Sequence, residues 1–217
     1  MDSVRRSVLL SLTATLFSSR AGGQDPFTSL PPNLPVPVDD GACRHLPGMP
    51  VPSIRLRSTK NRLVDLTAVH ADRIVVYAYP MTGVPGQPLP AGWDEIPGAR
   101  GGTPETCGFR DHHKDLKKLG ADVFGLSTQT TSYQQEMVAR LHVPFEVLSD
   151  EHLAFVRALR LPTFEVAGMT LVKRLTLILS KNRIEKVFYP VFPPDKHAEE
   201  VVAWLTDNPV GRKSVEK

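Results

Sequence analysis

The stretch GARGGTPETCGFRDHHKDLKKLGADVFGLSTQ, residues 98–129, decides the fold. It reads as the end of a glycine-rich loop, then a helix, then a strand. Thr103 is placed to cap a helix running from about 104 to 119. Pro104 suits the first turn, and Glu105 complements the positive helix end. Lys117 and Lys118 fit the last turn, and Gly120 the stop. Asp122–Ser127 then predicts a strand.

Working outward, Ile74–Tyr79 is short, apolar and rich in β-branched and aromatic residues. It predicts a buried central strand, stopped by Pro80. Residues 81–102 are dense in Gly and Pro and form a long loop of the kind that usually carries function. Downstream, Ser132 with Gln135 makes a capping-box pattern ahead of an apolar face of Tyr133, Met137, Val138 and Leu141. Phe145–Leu148 predicts a strand, and Asp150 the cap of a helix reaching about Arg160. Val172–Leu179 and Ile184–Tyr189 predict two strands joined by the tight Ser180–Arg183 turn. A last helix starts at Asp195, after Pro193 and Pro194, and buries Ala198, Val201, Val202 and Leu205. This alternation predicts an α/β fold: a central mixed sheet flanked by helices, parallel strands first, a C-terminal hairpin and helix last.

The chain has 217 residues, of which 41% are hydrophobic, enough for one medium domain with a real core. That domain is expected over 51–208, after a Pro-rich arm at 26–50 and before a polar tail at 209–217. A net charge of +3 without a dense basic run argues against nucleic acid or a membrane surface as partner. In residues 1–25, Arg5 and Arg6 precede the apolar run Val8–Phe17, and Ser19-Arg20-Ala21 offers a small-x-small site. The segment reads as an export signal over 1–21, a transit peptide or a tail. A cytoplasmic location is the expectation, with export as the alternative. Cys43 and Cys107 are the only cysteines. They make no disulfide framework, no C-x-x-C pair and no zinc spacing. His112 and His113 are adjacent on a helix and point apart, so no metal site is expected.

Tyr79-Pro80 at the strand end, followed by Cys107, Phe109, Arg110 and Asp111, resembles the active-site region of the peroxiredoxins. The bacterioferritin-comigratory-protein branch is the most similar, and still more so a redoxin subgroup with a long Gly/Pro loop. The likeness continues through ADVFGLSTQ, PFEVLSD and RIEKVFYP and covers about residues 50–207. It implies a thioredoxin-like fold and a thiol peroxidase. In that chemistry a helix-entrance cysteine, its pKa lowered by the helix dipole and a nearby Arg, attacks a peroxide oxygen and becomes a sulfenic acid. A second thiol condenses with it, and a reductant resets the pair. The implied partners are a hydroperoxide substrate and a thioredoxin-like or other thiol reductant, on a monomer or homodimer, with no cofactor.

One departure is decisive. Gly102 stands where the family has its attacking cysteine, and Ala99 where it has a Thr. Cys107 matches the resolving position, Arg174 the transition-state arginine and Pro80 the proline that shields the thiolate. Cys107 reads as a substitute nucleophile, a remnant thiol or a small half-buried residue. Arg174, inside an apolar strand, reads as a charge with a role or as one snorkelling to water; a register shift of one puts Lys173 in its place. Two functions follow: a peroxidase working through Cys107, with Cys43 as its partner, or a binding protein that has lost the chemistry. On the second reading, Gly102→Cys is expected to create activity in an otherwise intact pocket. A thiol-disulfide oxidoreductase ranks last without a C-x-x-C.

Overall fold

The computed structural model describes residues 25–211; the signal-like segment up to residue 24 and the tail beyond 211 lie outside them. Seven of the described strands form one sheet, in the order β2 (Leu63–Asp65), β1 (Arg55–Ser58), β5 (Glu146–Ser149), β4 (Ala121–Ser127), β3 (Arg73–Ala78), β8 (Leu175–Ser180), β9 (Arg183–Phe188). β3, β4 and β5 run parallel. β1 and β2 extend one edge, and β8 and β9 the other, all antiparallel. β6 (Thr163–Val166) and β7 (Met169–Val172) form a separate small hairpin.

β3 is buried along its whole length, as an apolar run in mid-sheet must be. Its alternation divides the core. Ile74, Val76 and Ala78 face one hydrophobic layer, with Leu126, Leu148, Leu177 and Phe155 of α4 (Ala154–Leu159). The Pro-rich arm adds Cys43 and Leu46 to that layer. Val75 and Tyr77 face the other, built from α1 (Gly102–Asp111), α2 (His113–Lys118), α3 (Thr131–Leu141) and α5 (His197–Asp207).

The mixed α/β architecture and the C-terminal hairpin and helix are as the sequence predicts, and several local readings are corrected. The helix expected over 104–119 starts two residues earlier and breaks at His112 into α1 and α2. Its cap is Gly101, at a φ of 111° that favours glycine, rather than Thr103. The cap of α3 is Thr130, whose hydroxyl accepts the Tyr133 N–H at 3.3 Å, and not Ser132. Gln135 instead donates its amide to the Thr59 carbonyl and Asn61. α4 begins only at Ala154, yet Asp150 still accepts the Phe155 and Val156 amides at 3.1 and 2.8 Å. The strand expected over Val172–Leu179 is two strands, with Lys173 and Arg174 between them.

Candidate active site

Because β7 belongs to the small hairpin and β8 to the main sheet, the chain changes direction at Lys173–Arg174. Arg174 is thereby turned inward and is 3% exposed. It does not snorkel. Its guanidinium forms an ion pair with Glu105 on the first turn of α1, both side chains being essentially without solvent contact. It also donates to the carbonyls of Ala99 at 3.3 Å and Arg100 at 3.1 Å. Burial pushes the Glu105 carboxyl up, against the pull of Arg174 and His197. One Glu105 oxygen and the Arg174 Nε have no partner, so the pair only partly satisfies itself.

Gly102 is the first residue of α1, on the same side as Glu105. A Cβ built on it runs into the Met81 carbonyl and comes within 3.3 Å of the Thr82 methyl. The segment just after β3 therefore fills the space a side chain at 102 needs, and the pocket is not ready-made for a cysteine there. Pro80 belongs to that segment; its carbonyl accepts the Ser127 hydroxyl at 3.0 Å. Tyr133 fixes Thr82, two residues on, by donating its hydroxyl to the Thr82 carbonyl at 2.6 Å. The hydroxyls of Tyr79, Thr82 and Thr103 are buried nearby without partners.

Pro80, Gly102 and Arg174 thus gather around the N-terminal end of α1, and Cys107 does not join them. At about 100° per residue, Cys107 lies about 200° around the helix from Glu105. Its half-buried thiol packs against the α-helical layer instead. Burial holds the thiol above the usual range, with Arg110 and Arg140 opposing and Asp111 and Asp25 reinforcing. Cys43 belongs to the opposite layer, where burial beside Asp40 and Asp39 pushes its thiol up to about 12. The sheet separates the two cysteines, and both are free.

Sequence reasoning missed the partner of Arg174. It read Glu105 only as a complement to the helix dipole, and the signal available was that a buried cation requires a buried acid.

A family model described as Redoxin matches residues 46–203. The chain belongs to the redoxin family. This redoxin is 30% identical over 183 residues to a chloroplastic peroxiredoxin Q of Gentiana triflora, spanning 82% of its own length and 76% of that protein. It is 32% identical over 159 residues to the chloroplastic peroxiredoxin Q of Oryza sativa subsp. japonica, spanning 73% and 65%. The peroxidoxin BcpB of Mycobacterium tuberculosis superposes with a TM-score of 0.62 at 22% identity, over 75% of this chain and 98% of that one. The bacterioferritin comigratory protein of Xanthomonas campestris does so at 0.58 and 22%, over 71% and 91%. The redoxin therefore has the thioredoxin-like fold of the peroxiredoxins, and its sequence is similar to the peroxiredoxin Q proteins.

Proposed function

We propose that this redoxin is a peroxiredoxin-family thiol peroxidase impaired at the station where the family's attacking cysteine stands. The observation that carries this reading is the closure around Gly102: the Met81 carbonyl occupies the side-chain space, and Glu105 already neutralises Arg174. Hydroperoxide reduction falls to Cys107. Its thiolate attacks the peroxide oxygen, the O–O bond breaks, and the departing alkoxide or hydroxide takes a proton; the sulfur is oxidised to a sulfenic acid. A thioredoxin-like or other thiol then forms a mixed disulfide with loss of water. A second reductant thiol breaks it and restores Cys107. The raised thiol pKa keeps the first step slow, because only the thiolate attacks. The two free thiols fit a reducing compartment, and the cytoplasm is the location we assign.

Peroxide consumption with thioredoxin or dithiothreitol tests this. Slow turnover that disappears in Cys107→Ser is expected. Turnover that survives in Cys107→Ser, or that outpaces an ordinary protein thiol many-fold, overturns it. The Glu105–Arg174 pair also favours a second reading, a redoxin without peroxidase chemistry, since the guanidinium that would polarise a peroxide is already held. Mass spectrometry after peroxide exposure separates the two: sulfenic acid at Cys107 supports the first reading, and an unmodified thiol the second.

A further inference from the structure

The start of the Pro-rich arm lies across the segment that closes the space at Gly102. The Asp25 carboxylate accepts the Phe27 N–H at 2.9 Å and the Asp25 carbonyl accepts the Thr28 hydroxyl at 2.8 Å, which folds 25–28 into a turn. The same carboxylate forms an ion pair with Arg140 of α3, the two side chains being 13% and 19% exposed. Arg140 in turn donates to the Gly83 carbonyl at 2.9 Å. Gly83 follows Met81 and Thr82 directly, and a Cβ built on it runs into the Phe27 ring. The ring therefore rests on bare backbone. Over it lies the Arg100 guanidinium, 5.3 Å from the ring centroid, and the Arg100 carbonyl is one that accepts from Arg174. Leu30 reaches within 3.1 Å of where a Cβ on Gly101 would stand. The 81–83 segment is thus gripped from two sides, by Tyr133 and Arg140 of α3 and by Phe27 of the arm.

The arm's half of this grip is releasable. Among the described residues, no backbone hydrogen bond joins 25–39 to the rest of the fold. Phe27 and Leu30 are half-buried, and further along Val36 and Val38 are 62% and 82% exposed. The arm's buried anchors, Cys43 and Leu46, come only later. Residues 25–30 can lift without unseating them, because a segment with few buried contacts and no backbone ladder opens at low cost.

We propose that residues 25–30 are an autoinhibitory strap: docked, they clamp the 81–83 segment over Gly102 and the Glu105–Arg174 pair; lifted, they let that segment swing away and admit solvent to the station. The inference concerns access to this station and not the role of Cys107.

Thr82→Cys places a reporter thiol in the clamped segment. Thr82 is 2% exposed and its hydroxyl has no partner, so a thiol replaces it without breaking a hydrogen bond. The full chain is labelled with iodoacetamide and each position is read by peptide mass. Phe27→Ala, which alters no charge, and Asp25→Asn are each expected to speed labelling at position 82 about tenfold. Val38→Ala, on the exposed part of the same arm, is expected to leave it unchanged. Cys43, in the opposite layer, is the internal reference and is expected to keep its rate. Unchanged labelling at 82 in Phe27→Ala overturns the proposal, and so does a rise at Cys43 in step with it, which marks general unfolding. A second measurement needs no new thiol. The loss of urea midpoint caused by Gly102→Ala is expected to shrink by about half in the Phe27→Ala background, where the Met81 carbonyl is free to yield. Strict additivity of the two substitutions overturns the proposal. Neither readout involves turnover, so a failed peroxidase assay leaves both untouched.

Discussion

Removing one partner of the Glu105–Arg174 pair strands the other charge where no water reaches it. Glu105→Gln is therefore expected to cost about 3–5 kcal/mol of unfolding free energy. The double variant Glu105→Leu with Arg174→Met is expected to recover most of that loss, because apolar replacements of a buried pair are often near neutral. Urea midpoints of the three proteins check it. At Gly102, alanine meets the Met81 carbonyl, and overpacking of this kind costs about 1–3 kcal/mol. Gly102→Cys brings the same collision, so it is expected to lower stability without restoring fast peroxide reduction. Loss of stability in Gly102→Ala is measured by the same urea titration. For Cys107, burial favours the protonated thiol, so alkylation by iodoacetamide is expected to accelerate with pH into the alkaline range. A rate already at its plateau near neutrality contradicts that. The sequence singles out Pro80, Gly102, Cys107 and Arg174 one by one, each from its own surroundings. Their mutual placement was not legible in it. Whether Cys107 faces Arg174 depends on which face of α1 the arginine meets, and that is the Glu105 face, about 200° away from Cys107.

The elements that sequence reading recovered are those with a long apolar run or a strong stop signal. β3 is one, and the β8–β9 hairpin another. Two hairpins escaped it, β1–β2 and β6–β7. Their strands have three or four residues, too few for a period to emerge, and β1 alternates arginine with small or apolar residues. The break between β7 and β8 was hidden for a related reason. Met169–Val172 and Leu175–Ser180 are each apolar and differ only in which sheet they join, a tertiary fact. The β8–β9 turn holds Lys181 at a φ of 48° and Asn182 at 58°, the left-handed pair that strand twist requires. Lysine adopts this region at a cost. Replacing Lys181-Asn182 by Asn-Gly is expected to raise stability by up to about 1 kcal/mol. A lowered thermal midpoint would contradict the turn geometry.

At the scale of the whole molecule, the sheet is a partition. One layer is packed by four helices, and the other by α4 and the Pro-rich arm, which delivers Cys43 and Leu46 to the interior. The arm is tied down at Asp40, which accepts from Lys173 and from the Tyr189 hydroxyl, each at 2.8 Å. These contacts lower the Asp40 pKa to about 2. Cys43 gives the layer a pH signature. The folded state keeps this thiol protonated up to about pH 12, while the unfolded chain releases the proton near 9.0. Its contribution is fully present below pH 9 and is lost as pH rises toward 12, with a slope of at most about 1.4 kcal/mol per pH unit. Cys43→Ala is expected to flatten that part of the urea-midpoint profile, and an unchanged slope would mean the thiol is not protected. The partition also rules on the pairing raised from the sequence. With the sheet between them, Cys43 and Cys107 have no path to a disulfide in the folded chain.

The carbonyl of Met81, lodged where a side chain at 102 would stand, has a consequence in evolutionary time. Glycine and cysteine codons can lie one base apart, so on the proposed reading of this position a thiol looks one step away. The Met81 carbonyl already fills the space that step needs. A substitution at 102 alone meets a wall, and a side chain there fits only once the 80–82 segment has moved. Gaining a side chain at 102 therefore takes two coordinated steps.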